Sequence, residues 1–162
     1  MDAFDQLDMV AEIAAALLGF IAVFLALSKE DGRFSESDRH FIQALVTTAA
    51  LAIIFSLTPR VLSLFTADVN VWYAATILAI SLGSLNMLLA ARQQLRMSRD
   101  EAVQIHWVWH WLAWTLTASG GVLWVLALFD TANTTAYYVG GVSLMIPLCL
   151  WVFIGLVFRK FF

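Results

Sequence analysis

The sequence predicts an all-α integral membrane protein with five transmembrane helices, folded as one helical domain over residues 1–162. Three observations carry this. Hydrophobic residues make up 62% of the chain, against about 45–50% in soluble domains. Charged residues make up only 13%, and the mean hydropathy is +0.84. Finally, the stretches 9–28, 41–58, 71–91, 105–129 and 136–158 each approach or exceed the roughly 20 apolar residues needed to cross a hydrocarbon core. They hold only one of the 21 Asp, Glu, Lys and Arg residues, Glu12. None alternates as a membrane β-strand does, so each must satisfy its backbone internally as a helix.

The first span follows an acidic start, Asp2, Asp5 and Asp8, and carries Ala15, Gly19, Ala22 and Ala26 at small-residue spacing. Ala26-Leu27-Ser28 loosely resembles a signal-peptidase site. A cleaved leader, however, begins with a basic region, and this chain has none there, so the segment reads as a retained span. A charged turn at 29–33 contains Gly32, and Ser35 with Asp38 has capping-box-like spacing before the second span. That span reads Ala44, Thr48, Ala52 and Ser56, a small-residue series suited to close helix approach. Pro59 then predicts a kink at its end. Asp68 and Asn70 are N-cap candidates for the third span, which carries Ala75, Ala79 and Gly83. Ser98 and Glu101 repeat the capping spacing before the fourth, placing its start in water near Arg99. The loop from Asp130 to Thr135 is short enough to force an antiparallel hairpin, with Thr134 or Thr135 capping the fifth span. Gly120-Gly121 and Gly140-Gly141 lie on opposite arms of that hairpin, placed to face each other. Asn133-Thr134-Thr135 matches a glycosylation sequon, but its position against the membrane reads better as a turn and helix cap.

Lys and Arg set the orientation. The loops at 29–40 and 92–104 and the C-terminus carry eight of them, and the alternate side carries one, Arg60. The positive-inside rule places the N-terminus outside and the C-terminus in the cytoplasm. Trp107, Trp109, Trp111 and Trp114, and at the other surface Trp72, Tyr73, Tyr137 and Tyr138, read as interfacial anchors.

Polar side chains inside a span cost free energy and therefore point to packing or function. The outer set is Glu12 and Arg60, at depths that suit an ion pair or a gate. The inner set is His40, Gln43, Asn86, His106 and His110. His106 and His110 share a helix face, and His110 precedes Trp114 by four residues. That four-residue spacing resembles the proton-conducting motif of the influenza proton channel, and nothing else in the chain does. Histidine is the side chain that changes charge near neutral pH.

Other chemistries fit less well. Zinc takes three or four protein ligands, and only His40 with Asp38 could supplement the histidine pair, so no metal is expected. Haem ligands at two depths are lacking, as is an intramembrane lysine for a retinal Schiff base. The single Cys149 excludes an internal disulfide framework and CxxC motifs. Hydrolase and phosphate-binding motifs are absent, so no enzyme is expected, and a net charge of −3 gives no nucleic-acid surface. The leading expectation is a small oligomeric channel for ions or protons, with a pH-sensitive inner element and no cofactor. The alternative is an accessory subunit whose small-residue seams bind another membrane protein, and a small secondary transporter comes third. The expected surroundings are a lipid bilayer, that of a bacterial inner membrane, with a homo-oligomer or a second membrane subunit as partner.

Overall fold

The computed structural model describes residues 2–28, 36–65, 68–96 and 107–161. They form α1 (Ala3–Ser28), α2 (Glu36–Leu62), α3 (Asp68–Gln94), α4 (Trp107–Phe129), α5 (Thr134–Ser143) and α6 (Met145–Phe161), with no strand among the described residues. Five spans are long and apolar enough to cross a membrane, α5 and α6 together making the fifth. The architecture is that of a five-span, multi-pass helical membrane protein.

The helices overrun the apolar stretches for local reasons. α1 starts at Ala3 because Asp2 and Asp5 cap it reciprocally. The Asp5 amide donates to Asp2 Oδ1 at 2.8 Å and the Asp2 amide to Asp5 Oδ2 at 3.0 Å, a capping box built from two aspartates. α3 continues to Gln94, one turn past its apolar run. The proposed caps Ser35, Ser98 and Glu101, the side chains of Asp68 and Asn70, and residues 105 and 106 of the fourth span lie outside what is described.

One expectation about the last hairpin is corrected. The N-cap of α5 is Asn133, without a side-chain capping bond. The Thr134 hydroxyl instead donates backward, to the carbonyls of Ala127 (3.1 Å) and Asp130 (3.2 Å), closing the end of α4. The fifth span also divides at Leu144, which itself keeps helical backbone angles. Pro147 has no N–H for the Ser143 carbonyl and its ring crowds that carbonyl, so the helix is interrupted there.

The spans alternate in direction. One end of the bundle gathers the start of α1, the end of α2 and the hairpin between α4 and α5; the other, basic end gathers the start of α2, the end of α3 and the start of α4. α2, α3, α4 and α6 touch in succession and close into a ring, with α1 against α2 and α5 between α4 and α1. α1 buries Leu7, Val10, Ala14, Leu17 and Ile21, a seam at alternating three- and four-residue steps. Its Ala15, Gly19, Ala22 and Ala26 face outward instead and form no seam within the chain. Large side chains cover much of the outer surface, Phe20 being 66% and Phe129 81% exposed, as lipid-facing helices require.

Candidate functional site

The ring encloses a cavity of about 220 Å³. Its lining is graded along the bundle axis. At the basic end stand His40 and Gln43 from the first turns of α2, Gln93 and Gln94 from the last turn of α3, and His110 from the first turn of α4. Asn86, Thr48 and Thr117 follow, and Phe55, Gly83, Gly120, Trp124 and Gly141 close the far end. Trp114 and Trp151 contribute to the walls. Among the described residues no Asp, Glu, Lys or Arg lines it.

The polar groups are partly paired. Gln93 Nε2 donates to Gln43 Oε1 at 2.9 Å, and Gln94 Nε2 lies 3.0 Å from His110 Nδ1. An amide nitrogen only donates, so Nδ1 accepts and a neutral His110 carries its proton on Nε2. His40 Nδ1 is buried without a hydrogen-bond partner, while its ring lies edge-on to Phe41, centroids 6.3 Å apart.

The far end is an aromatic cluster. Trp124 packs edge-on to Phe55 at 5.3 Å, and Tyr138 against Trp72 at 5.8 Å. Small residues make room for Trp124. A Cβ on Gly141 would overlap its Nε1 and fall 2.6 Å from its Cδ1, and one on Gly83 would fall 3.1 Å from its ring. Gly120 meets Gly141 as well: its Cβ would sit 3.5 Å from the Gly141 carbonyl, while one on Gly140 would contact Leu123 and one on Gly121 would contact nothing.

Tyr138 is fully buried, which corrects its reading as an interfacial anchor. The reason lies on the neighbouring helix. Pro59 supplies no N–H to the Phe55 carbonyl four residues earlier, and the Tyr138 hydroxyl donates to that carbonyl instead, at 2.7 Å. α2 therefore runs through Pro59 to Leu62. Trp72 and Tyr137 are half-buried, and Tyr73 and Trp111 are exposed.

Comparison with protein-family models, curated proteins and solved structures finds no match.

Of the inner residues singled out in the sequence, the cavity gathers His40, Gln43, Asn86, His110 and Trp114. His106 lies outside the described residues. Among those described, no group of three His, Cys, Asp or Glu side chains is placed to hold a metal. The outer pair is corrected: Arg60 bonds Asp8, not Glu12, at 2.8 Å, and its guanidinium lies over the Phe4 ring at 5.8 Å. Arg60 stands in the last turn of α2, level with the first two turns of α1, whereas Glu12 is a turn deeper and on the side opposite the buried seam. The small-residue series of α2 also divides. Four residues overshoot a turn by about 40°, so Ala44 and Thr48 line the cavity while the buried Ala52 and Ser56 do not. Thr76 and Ser81, polar residues within the third span, return their hydroxyls to the carbonyls of Trp72 and Ile77. Sequence reasoning missed Gln93, Gln94, Trp124 and Trp151, the first two because they lie just beyond an apolar run.

Proposed function

We propose that the protein is a non-enzymatic membrane channel that passes protons or small ions. In this reading the cavity is its inner half, and Phe55, Trp124 and Tyr138 form its closed gate. The observation that carries the proposal is the ring of four helices around a space that is polar at the basic end and aromatic at mid-bundle. Buried polar side chains in a bilayer are costly and gather along solvated pathways, and aromatic or apolar constrictions close such pathways by excluding water. With no fixed charge on the described lining, His40 and His110 are the groups able to carry a proton near neutral pH. The basic end faces the cytoplasm, and a bacterial inner membrane is the proposed location.

Reconstitution into liposomes tests this. A pH-dependent flux is expected, reduced in His110→Ala and raised in Trp124→Ala, which opens the constriction. Flux equal to that of empty liposomes across pH and voltage would reject the channel.

One observation favours the second reading, a subunit that docks on another membrane helix or on its own copy. α1 turns Glu12, Ala15, Gly19, Ala22 and Ala26 outward, and a Cβ on Gly19 would touch nothing. Close-packed transmembrane helices use faces of this kind. Loss of a cross-linked oligomer in Gly19→Leu would support docking through α1, and an unchanged oligomer would reject it.

A further inference from the structure

We infer that the cavity binds an uncharged, planar ring compound bearing carbonyl or hydroxyl oxygens at its edge, a quinone being the representative chemistry. The reading begins with what the lining lacks. An ammonium ligand would leave water and meet no countercharge among the described lining residues, and a carboxylate would meet one only where a histidine is first protonated, which is costly in a low-dielectric site. A neutral ring carries no such penalty.

What the lining supplies points the same way. At the aromatic end, Trp114, Trp124 and Phe55 offer ring faces and edges for a flat apolar body. At the polar end several groups keep unused capacity after their internal bonds are formed. His110 Nε2–H is the remaining ring donor once Nδ1 is held by Gln94. The Gln43 amide donates through its nitrogen while its oxygen is held by Gln93. His40 Nδ1 is buried and unpartnered, a condition that a hydrogen bond from or to a ligand removes. Donors and an acceptor at one end and π surfaces at the other match a ring with polar oxygens on its edge. Such pockets, mostly apolar with a few convergent polar groups, are the usual form of small-molecule sites.

This inference rests on the cavity being the functional site proposed above, but its test does not use flux. Protein in lipid nanodiscs is titrated with tetramethyl-benzoquinone, followed by tryptophan quenching and by calorimetry. Saturable binding is expected, weakened roughly three- to tenfold in His110→Leu and in Gln43→Leu, the loss typical of one hydrogen bond. Binding should vanish in Ala113→Trp, which fills the cavity, and remain unchanged in Glu12→Gln on the outer surface. Tetramethylbenzoate and trimethylphenylammonium should fail to displace the quinone. Quenching that rises linearly with lipid-partitioned quinone and is equal in wild type and variants would overturn the inference, as would displacement by either ion at matching concentration. If Ala113→Trp does not fold, as judged by circular dichroism and gel filtration, the His110→Leu and Gln43→Leu titrations decide. Saturable binding without flux would reject the channel and keep this site; flux without saturable binding would do the reverse.

Discussion

The Tyr138 hydroxyl replaces a backbone hydrogen bond that Pro59 cannot make, and this substitution of one donor for another can be measured. In Tyr138→Phe the ring stays against Trp72 but the Phe55 carbonyl loses its donor. Leaving a buried acceptor unpaired costs about 1–3 kcal/mol, and single side-chain hydrogen bonds in membrane bundles reach about 1.7 kcal/mol. We therefore expect a loss of about 1–2 kcal/mol in reversible unfolding from mixed micelles. The decisive comparison is the same change in a Pro59→Ala background. There the new alanine's N–H bonds the Phe55 carbonyl through the helix ladder, and the hydroxyl becomes a second donor to an acceptor already satisfied. The cost of Tyr138→Phe should then fall below about 0.5 kcal/mol, giving a coupling near 1 kcal/mol in the double-mutant cycle. Equal costs in the two backgrounds would refute the argument, because the hydroxyl would then be acting on something other than the proline's orphaned carbonyl.

Gly141→Ala should destabilise by about 1–3 kcal/mol, the range for overpacking, and more than Gly83→Ala. Its Cβ overlaps the rigid Trp124 indole at three ring atoms, whereas the Cβ of Gly83 stops 3.1 Å short of the ring, and thermal unfolding with intrinsic fluorescence reads the difference. Asp8→Asn and Arg60→Ala should each cost about 1 kcal/mol or less, since the pair is well exposed. Glu12→Gln should show no coupling to Arg60 in a double-mutant cycle. The Asp130 carboxyl is held below the ordinary aspartate range, first by the Asn133 amide (2.9 Å) and also by the Tyr137 hydroxyl. Its ionised form thus favours the folded hairpin above the ordinary range, and that contribution is lost as pH falls through the lowered value. Carbon-13 NMR should find the midpoint moved upward in Asn133→Ala, and an unmoved midpoint would refute the assignment.

The spans were legible because hydropathy and charge position report directly on the cost of putting polar groups in hydrocarbon. The same rule let His40, Gln43, Asn86 and His110 be grouped, together with His106, before their helices were assembled, since polar residues at one depth in neighbouring spans avoid lipid by sharing an interior. Rotation about each helix axis was not legible in the same way. Asp8 and Glu12 are one turn apart, and only the height of Arg60 on α2 selects between them. Ala15 and Gly19 have the spacing of a packed seam, yet Leu7, Val10, Ala14, Leu17 and Ile21 bury more apolar area and take the inner face of α1. Tyr138 has the composition of an interfacial residue, and its burial follows from a proline on another helix. The break at Leu144 had a local signal, Pro147, at a point where hydropathy alone runs on without interruption.

These departures from regular helix converge on one level of the bundle. Pro59 removes a backbone bond from α2 at Phe55, and Pro147 removes one from the fifth span just beyond Gly140 and Gly141. Trp124 sits between Gly83 and Gly141 and against Phe55. A helix that has given up a ladder bond bends about that point at lower cost than an intact one. The aromatic floor of the cavity is thus held by the two spans whose backbones deform most readily, α2 and α5–α6. Movement of either shifts Phe55 or Gly141 away from Trp124 without disturbing the polar pair Gln94–His110, which lies wholly on α3 and α4. In the channel proposed above, the opening belongs at Trp124. Restoring the ladder with Pro59→Ala and Pro147→Ala together should make the floor more rigid, seen as slower amide exchange in the turns around Phe55 and Ser143.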